Sequence, residues 1–214
     1  MIDIYYCTIQ EELTSQCWED YFSLLPLAEQ DKNMRFRRWE DRHAHLFGRL
    51  LLRQGLLHYG YKENILEDIQ LNPYNRPFLH DEIDFSISHS GEYVTCAIGQ
   101  DIKLGMDVER KDGKFDPEDA GAIFCHAELD YIRGSDNRCD AFFRLWARKE
   151  SLIKADGRGF SAPLTSINCL TDEVILDNQR WYVRDLLLSE SYSSAISTDK
   201  PVPELNMIAV DFYH

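Results

Sequence analysis

The sequence has no long apolar run. No stretch approaches the roughly 20 apolar residues that a membrane helix requires. The first residues, MIDIYYCTIQEEL, also lack the basic start and the apolar segment of a secretion signal. We therefore expect no membrane partner and no export, which predicts a cytoplasmic location.

Basic residues are scarce, since the 214 residues include 23 Lys and Arg against 37 Asp and Glu, a formal net charge of −14. Nucleic-acid binding needs clustered Lys and Arg on the phosphates, so we expect no nucleic-acid partner. Residues 31–53 are the exception, with seven basic residues against three acidic ones. Such a local basic site suits a small polyanionic ligand, although a solvated helix face explains it equally well.

Paired cysteines are also missing. The six cysteines are scattered, without CxxC pairs or a Cys/His spacing suited to a metal: Cys7, Cys17, Cys96, Cys125, Cys139 and Cys169. This distribution favours reduced, mostly structural thiols. A zinc site is not expected.

The sequence does contain two hydrophobic periods. Alternation typical of strands occurs at 2–8, 83–88, 93–98 and 102–108. Helical spacing is clearest at 29–59 and 140–156, with shorter candidates at 9–23, 62–68 and 117–132. The mixture predicts an α+β fold.

A faint internal repeat suggests two similar halves. A helical segment ending at Gly60 precedes the strand-like YVTCAI, and one ending at Gly157 precedes YSSAI after a comparable separation. Chance similarity of α+β units is the alternative, because few positions are identical. If the repeat is real, the halves are 1–103 and 104–214, with a cleft between them.

The stretch LGMDVER, residues 104–110, places two acids one residue apart in an apolar run. In a strand, Asp107 and Glu109 point to one face while Met106 and Val108 point to the other. Two carboxylates that lie this near to each other repel, so they need a cation or open solvent. On these residues alone, a strand with one solvated face is the simpler interpretation.

The segment 141–160 is helical and contains an unusual lysine. At about 100° per residue, Lys149 falls in the middle of the apolar stripe, where it must reach outward or meet an anion. Glu150 lies at the edge of the stripe, and Lys154 lies one turn beyond. An i,i+4 pair between Glu150 and Lys154 explains those two residues but not Lys149.

Together these charged residues suggest phosphoryl chemistry. Asp107, Glu109 and Glu150 could supply three oxygen ligands to one Mg²⁺, or to Mn²⁺ in its place. Lys149 and Lys154 would then face the same phosphates. Three acids and two lysines suit phosphoryl-type transfer, in which positioning and charge neutralisation provide most of the catalysis.

Five segments resemble the 4'-phosphopantetheinyl transferases of the longer, two-halved type that activates surfactin synthetase. They are FGRLLLR (47–53), NPYNRPFL (72–79), IDFSISHSGEYV (83–94), LGMDVE (104–109) and FFRLWARKESLIKADGRGF (142–160). The DxE motif followed about 40 residues later by WxxKExxxK is fairly specific, and ISHSG upstream adds to it. The resemblance covers most of the chain.

The resemblance implies two α+β halves related by a pseudo-twofold axis, with coenzyme A and Mg²⁺ between them. It implies transfer of the 4'-phosphopantetheine of coenzyme A to a serine of an apo carrier protein, releasing 3',5'-ADP, as in a holo-[acyl-carrier-protein] synthase. Asp107, Glu109 and Glu150 would bind the metal. Asp107, Glu150 and Lys154 would be catalytic, with Glu150 as general base and Lys154 on the leaving phosphate. Lys149 would hold the pyrophosphate or help the ADP leave.

Further residues would bind coenzyme A by their position in the family's motifs. Ser88 and His89 would contact its phosphates, and Arg76 stands where the family has the lysine of a GKP motif. Lys32 matches a basic residue that meets the 3'-phosphate. The structural alternatives are a Ser88 hydroxyl bonded to local backbone, an exposed His89 and a simple loop arginine.

The chain departs from the family pattern near the nucleotide. Glu29 occupies a place where relatives often have a lysine, and Ala44-His45 falls where an arginine is frequent. Arg42 is the candidate substitute. Asn75 replaces the glycine of GKP, which is tolerable if a left-handed turn is needed there.

Two other functions use the same residues. One is a Mg²⁺-dependent phosphohydrolase with water as nucleophile; the other is a catalytically idle protein that binds coenzyme A or a carrier. Residues 111–138 resemble the region that borders the carrier site, with Phe124 and Leu129 as candidate contacts, although core packing is the simpler interpretation of both. Two fused halves suggest a monomer.

Overall fold

The computed structural model describes residues 1–80, 82–112, 121 and 123–213. The helices are α1 (Ser15–Phe22), α2 (Leu27–Asn33), α3 (Trp39–His58), α4 (His126–Gly134) and α5 (Arg138–Asp156). The strands are β1 (Ile2–Thr8), β2 (Gln70–Leu71), β3 (Pro77–Phe78), β4 (Ile83–Ser90), β5 (Tyr93–Gln100), β6 (Leu104–Arg110), β7 (Glu173–Leu176), β8 (Gln179–Leu186), β9 (Tyr192–Thr198) and β10 (Leu205–Ala209). Within these ranges, no helix is long and apolar enough to cross a membrane.

The first half is a four-stranded sheet with α3 packed against it. The strand order is β10-β1-β5-β4, with β1 antiparallel to β5 and parallel to β10. Phe47, Leu51 and other apolar residues of α3 form a core with the sheet. Gly55 lets the helix approach closely, because a Cβ there would overlap the side chains of Ile98 and Tyr5.

The second half also combines a four-stranded sheet with one long helix. Its sheet has the order β6-β9-β8-β7, all antiparallel, and α5 packs across it. Leu145 and Leu152 of α5 join Trp181 and Val183 of β8 in a second core. Asn137 caps the N-terminus of α5, and Gly157, with φ of 88°, ends it in the left-handed conformation.

The two sheets meet through a third apolar cluster and a row of side-chain hydrogen bonds. The cluster includes Ile4 and Ala97 from the first sheet, and Met106 and Ile196 from the second. Alternate side chains of β4 accept backbone N–H groups of β6, and the four pairs are Asp84–Leu104 (2.9 Å), Ser86–Met106 (3.0 Å), Ser88–Val108 (3.3 Å) and Ser90–Arg110 (3.0 Å). Because β6 is an edge strand, these acceptors satisfy N–H groups that its own sheet leaves open.

The architecture confirms the α+β prediction, and each half contains a four-stranded sheet and one long helix. The pseudo-twofold axis and the division at residue 103 stay predictions. The last strand, β10, lies in the first sheet, which a division into two consecutive halves does not predict.

The helix predicted over 29–59 is divided into α2 and α3. Asn33 ends α2, its side chain is fully buried, and its Nδ2 donates a hydrogen bond to the carbonyl of Arg42 at 2.8 Å. The Asn33 side chain therefore ties the end of α2 to the first turns of α3.

Candidate active site

A cavity of about 380 Å³ lies where the two halves meet. Lys32, His45 and Arg49 line it from the first half, and Ile153 and Lys154 line it from the second. The cavity therefore has basic groups on both sides, which suits an anionic ligand.

The strand of the LGMDVER motif lies directly against α5, and a glycine makes this possible. A Cβ on Gly105 would overlap the backbone of α5 at Ser151 and Ala155. Glycine therefore sets the distance between β6, which carries Asp107, and the helix that carries Glu150 and Lys154.

Asp107, Ser88 and Lys154 form a compact hydrogen-bonded group. The Lys154 ammonium lies 2.7 Å from Asp107 Oδ1 and 2.9 Å from Ser88 Oγ. Ser88 Oγ in turn donates to Asp107 Oδ1 at 2.8 Å. The Ser88 side chain therefore orients the Asp107 carboxylate and the Lys154 ammonium.

Neutral donors hold the second acid of the motif. Glu109 Oε1 accepts the indole N–H of Trp146 at 2.9 Å, and Oε2 accepts the hydroxyl of Ser90 at 3.0 Å. Neither donor carries a charge, so the negative charge of Glu109 is oriented without being neutralised by them.

Burial raises the pKa of all three acids, and the charge of Asp107 raises the pKa of Glu109 and Glu150 further. Burial, with a further contribution from Asp107, raises the pKa of Glu150 to about 7, although Lys154 opposes the shift. One lysine does not balance three clustered carboxylates, so the site can accept a further cation.

The donor set fits a divalent metal, although the ligands do not converge on one point. Asp107 Oδ2 is buried and has no hydrogen-bond partner. Carboxylate oxygens are the ligands that Mg²⁺ prefers. In the described part of the chain, no group of three or more His, Cys, Asp or Glu residues is already arranged to hold a metal ion.

Lys149 lies elsewhere, contrary to the expectation that it meets the pyrophosphate. Its side chain is fully buried, and its ammonium lies 2.9 Å from Glu128 Oε2 in the core of the second half. It also donates to the carbonyls of Leu164 and Ile167. The anion that its position in the apolar stripe requires is thus a residue of the protein.

Arg76 lines the cavity but is already bonded across the two halves. Its guanidinium binds both oxygens of Asp84 at 2.8 Å and donates to the carbonyls of Lys154 and Leu104. Asn75 before it has a positive φ of 64°, as the replacement of glycine predicts. Arg76 therefore fixes the relative position of the halves at the wall of the cavity.

The other predicted ligands of coenzyme A divide between the cavity and its surroundings. Lys32 and His89 line the cavity. Partial burial and the neighbouring Lys154 lower the pKa of His89, although the residue as a whole is exposed. Arg42 is not among the lining residues, and its Nε donates to the carbonyl of Phe36 at 3.0 Å.

Lys32, His45 and Arg49 form the basic wall of the cavity. Sequence analysis did not single out Arg49 as a site residue. Arg49 Nε lies 2.7 Å from Glu29 Oε2, and His45 Nε2 lies 3.0 Å from the same oxygen. Arg49 belongs to the FGRLLLR segment and to the basic stretch 31–53, which were the available signals. Tyr74, in the turn between β2 and β3, also lines the cavity, and its place in the NPYNRPFL segment was the available signal.

The stretch expected to border the carrier site is described only in part, because residues 113–120 and 122 lie outside the described residues. Phe124 is buried in the second core, and Leu129 packs against that core. Core packing is therefore the correct interpretation of Phe124.

Comparison with known proteins agrees with the resemblance. A model of the 4'-phosphopantetheinyl transferase superfamily matches residues 103–200, and a model of the N-terminal part of 4'-phosphopantetheinyl transferases matches residues 12–100. The 4'-phosphopantetheinyl transferase gsp of Aneurinibacillus migulanus is 32% identical over 170 residues, which cover 78% of this chain and 70% of the relative. Sfp of Bacillus subtilis is 31% identical over 169 residues, covering 77% and 75%. The chain belongs to the 4'-phosphopantetheinyl transferase superfamily.

Proposed function

We propose that the protein transfers the 4'-phosphopantetheine of coenzyme A to a serine hydroxyl of an apo acyl, peptidyl or aryl carrier protein, and releases 3',5'-ADP. The observation that carries this proposal is the Asp107–Ser88–Lys154 group at a cavity with basic walls between the halves. The names of the relatives supply the reaction class. The proposal also includes a cytoplasmic location and a monomeric state, which suit an enzyme that uses coenzyme A to modify a protein serine.

Coenzyme A would lie along the cavity, with its diphosphate near Lys154. Lys32, His89 and Arg49 line the same cavity and would face its anionic groups. Arg76 would act chiefly by holding the halves together, since Asp84 and two carbonyls already occupy its guanidinium.

Asp107, Glu109 and Glu150 would hold Mg²⁺, or Mn²⁺ in its place. The unpartnered Asp107 Oδ2 and the like-charge repulsion among the three acids support this assignment. When bound, the ion would neutralise charge on the diphosphate of coenzyme A.

The residues of the chain would then serve one substitution at phosphorus. The carrier serine oxygen forms a bond to the phosphorus that carries pantetheine, and the bond from that phosphorus to the bridging oxygen breaks. Glu150 accepts the proton of the serine hydroxyl, directly or through water. Lys154 stabilises the charge on the departing phosphate of 3',5'-ADP.

The test is to incubate the protein with coenzyme A, Mg²⁺ and several apo carriers, and to measure intact carrier mass. We expect a gain of one phosphopantetheine group on the carrier serine. The rate of this gain should fall by about 100-fold or more in Asp107→Asn and Glu150→Gln, and it should be retained in the control Glu173→Gln, whose carboxylate pairs with Arg180 on the surface of β7 and β8.

Two outcomes would contradict the proposal. Cleavage of coenzyme A without any carrier would indicate a phosphohydrolase. Binding of coenzyme A by a folded protein, without a change in the mass of any carrier, would indicate an idle binder.

A further inference from the structure

We propose that Lys149 and Glu128 form a buried positioning pair that fixes the rotation of α5 and so directs Glu150 and Lys154 towards the cleft. In this proposal Lys149 does not touch substrate. The activity measurements below rest on the proposed transferase function, whereas the stability measurements do not.

The ammonium of Lys149 has no capacity left for a phosphate. It lies 2.9 Å from Glu128 Oε2, 2.8 Å from the carbonyl of Leu164 and 2.5 Å from the carbonyl of Ile167. A lysine has three N–H donors, so these three oxygens use all of them. The ring of Phe124, 5.7 Å from the ammonium, closes the site further.

The carboxylate of Glu128 is equally well satisfied. Oε2 accepts the backbone N–H of Cys125 at 2.9 Å, and Oε1 accepts that of Cys169 at 2.8 Å. Glu128 and Lys149 are both fully buried. Buried charges are tolerated when each is paired and hydrogen-bonded, as both are here.

These bonds join three segments at one point on α5. Glu128 stands in the first turn of α4, and Leu164 and Ile167 belong to the loop that follows α5. The Nε of the neighbouring Arg148 donates a hydrogen bond to the carbonyl of Cys169 in the same loop at 2.8 Å. Lys149 is therefore a fixed point on the side of α5 that faces the second core.

Anchoring at Lys149 sets the direction of its neighbour. Successive residues of a helix point about 100° apart, so a rotation of α5 that moves Lys149 moves Glu150 by the same angle. Lys154 lies one turn after Glu150 and bonds both Asp107 on β6 and, in the first half, Ser88 on β4. Small errors in the position of catalytic groups lower rates strongly, so the pair should affect turnover as well as stability.

A cycle of substitutions tests the proposal. Lys149→Met leaves the Glu128 carboxylate buried without a cation, and Glu128→Gln leaves the Lys149 ammonium buried without an anion. We expect each single variant to lower Tm by about 10 °C or more. The double variant has no buried charge, and its glutamine can still accept a backbone N–H and donate to a loop carbonyl, so its Tm should recover most of the loss.

Carrier modification should follow the same pattern. At a temperature where all variants are folded, Lys149→Met should lower kcat by about 10- to 100-fold, with the KM for coenzyme A nearly unchanged. The double variant should recover to within about threefold of the unaltered protein, because removing both charges restores the packing. Arg144→Met is the control, since Arg144 pairs with Asp185 on the exposed face of the same helix.

Three results would overturn the proposal. A double variant with recovered Tm but no turnover would show that Lys149 acts on substrate. Unchanged kcat in folded Lys149→Met would show that the pair supports the fold only. Additive losses of Tm in the double variant would show that the two residues do not act as a pair.

The outcome can be separated from that of the proposed function. If the unaltered protein modifies no carrier, the transferase proposal fails. The Tm cycle, with the Kd for coenzyme A of each variant, still tests whether the two residues act as a pair and whether Lys149 binds the ligand.

Discussion

The acidic end of the site and its basic wall place partly or fully buried carboxylates in opposite electrostatic situations. At the acidic end, formed by Asp107, Glu109 and Glu150, burial and mutual repulsion raise the pKa of Glu150 to about 7. At the basic wall, burial alone would raise the pKa of Glu29, but its contact with His45 and the charge of Arg49 lower it to about 2.

The difference shows how one residue type serves two purposes. Glu29 is balanced by its neighbours and contributes to stability, whereas the acidic end has more negative charge than Lys154 can balance. Uncompensated charge of this kind is typical of functional sites, where stability is lower than the fold could provide.

Gly105→Ala should have the largest effect, because it separates the acidic end from the helix that completes it. The added methyl group would overlap the backbone of α5 at Ser151 and Ala155, which cannot move independently. We expect a loss of about 3 kcal/mol or more in the free energy of unfolding, together with loss of carrier modification.

Urea denaturation and carrier mass measure the two effects. Gly134→Ala is the matched control, since a Cβ there meets nothing within 4 Å. Equal stability of the two alanine variants would contradict the role assigned to Gly105.

Glu150→Gln should separate activity from stability at the acidic end. We expect kcat/KM for carrier modification to fall by about 100- to 1,000-fold, because the variant lacks the general base for the carrier serine. The Tm of the metal-free protein at neutral pH should stay equal or rise, because one of three repelling charges is gone. A clear fall in Tm would show that Glu150 stabilises the fold and would weaken the contrast with Glu29.

Glu29→Gln, at the basic wall, should lower stability, in contrast to Glu150→Gln. We expect a loss of about 1–2 kcal/mol in the free energy of unfolding at pH 7, since the substitution removes the charge that Arg49 and His45 stabilise. Because the folded pKa of Glu29 is about 2 and its ordinary value is 4.5, this stability is present above pH 4.5 and is lost as the pH falls towards 2.

Denaturation of both proteins across that pH range tests the prediction. The difference between Glu29→Gln and the unaltered protein should shrink as the solution becomes more acidic. Glu63→Gln provides the control, because Glu63 is exposed and pairs with Arg53. Arg53 lies on α3, as Arg49 does, but does not line the cavity. A difference that does not depend on pH would contradict the charge-based explanation.

Trp146→Phe should have the smallest effect. It removes only the indole N–H that holds Glu109 Oε1 and keeps the aromatic packing against Phe160. We expect kcat/KM to fall about three- to tenfold, with a loss near 1 kcal/mol in stability. Trp18→Phe, which retains stacking on Phe22 in the first half, should leave kcat/KM unchanged.

Much of the acidic end was predictable because it depends on local periodicity. Alternation along LGMDVER placed Asp107 and Glu109 on one face, and helical spacing placed Glu150 and Lys154 one turn apart. Helical spacing left two alternatives for Lys149, a side chain that reaches outward or one that meets an anion, and the structure shows the second. The anion is Glu128 on α4 and not the pyrophosphate that the resemblance implied, because no pattern within the helix reveals that Glu128 lies beside it.

The basic wall was less predictable because its groups come from distant positions. Glu29 on α2 reaches Arg49 on α3 because α2 ends at Asn33 and the chain turns back, so that the two helices lie side by side. Arg42, chosen from its sequence position, instead bonds a backbone carbonyl beside the break.

The sequence by itself determined the α+β class, the family and the residues of the acidic end, because strand and helix periods and the spacing of motifs are local properties. The tertiary structure decided which charges meet. It paired Lys149 with Glu128, Arg76 with Asp84 and Glu29 with Arg49, and it left the acidic end only partly balanced. The reason is physical: an ion pair forms across space between side chains that packing brings within about 4 Å, and separation along the chain does not report that distance.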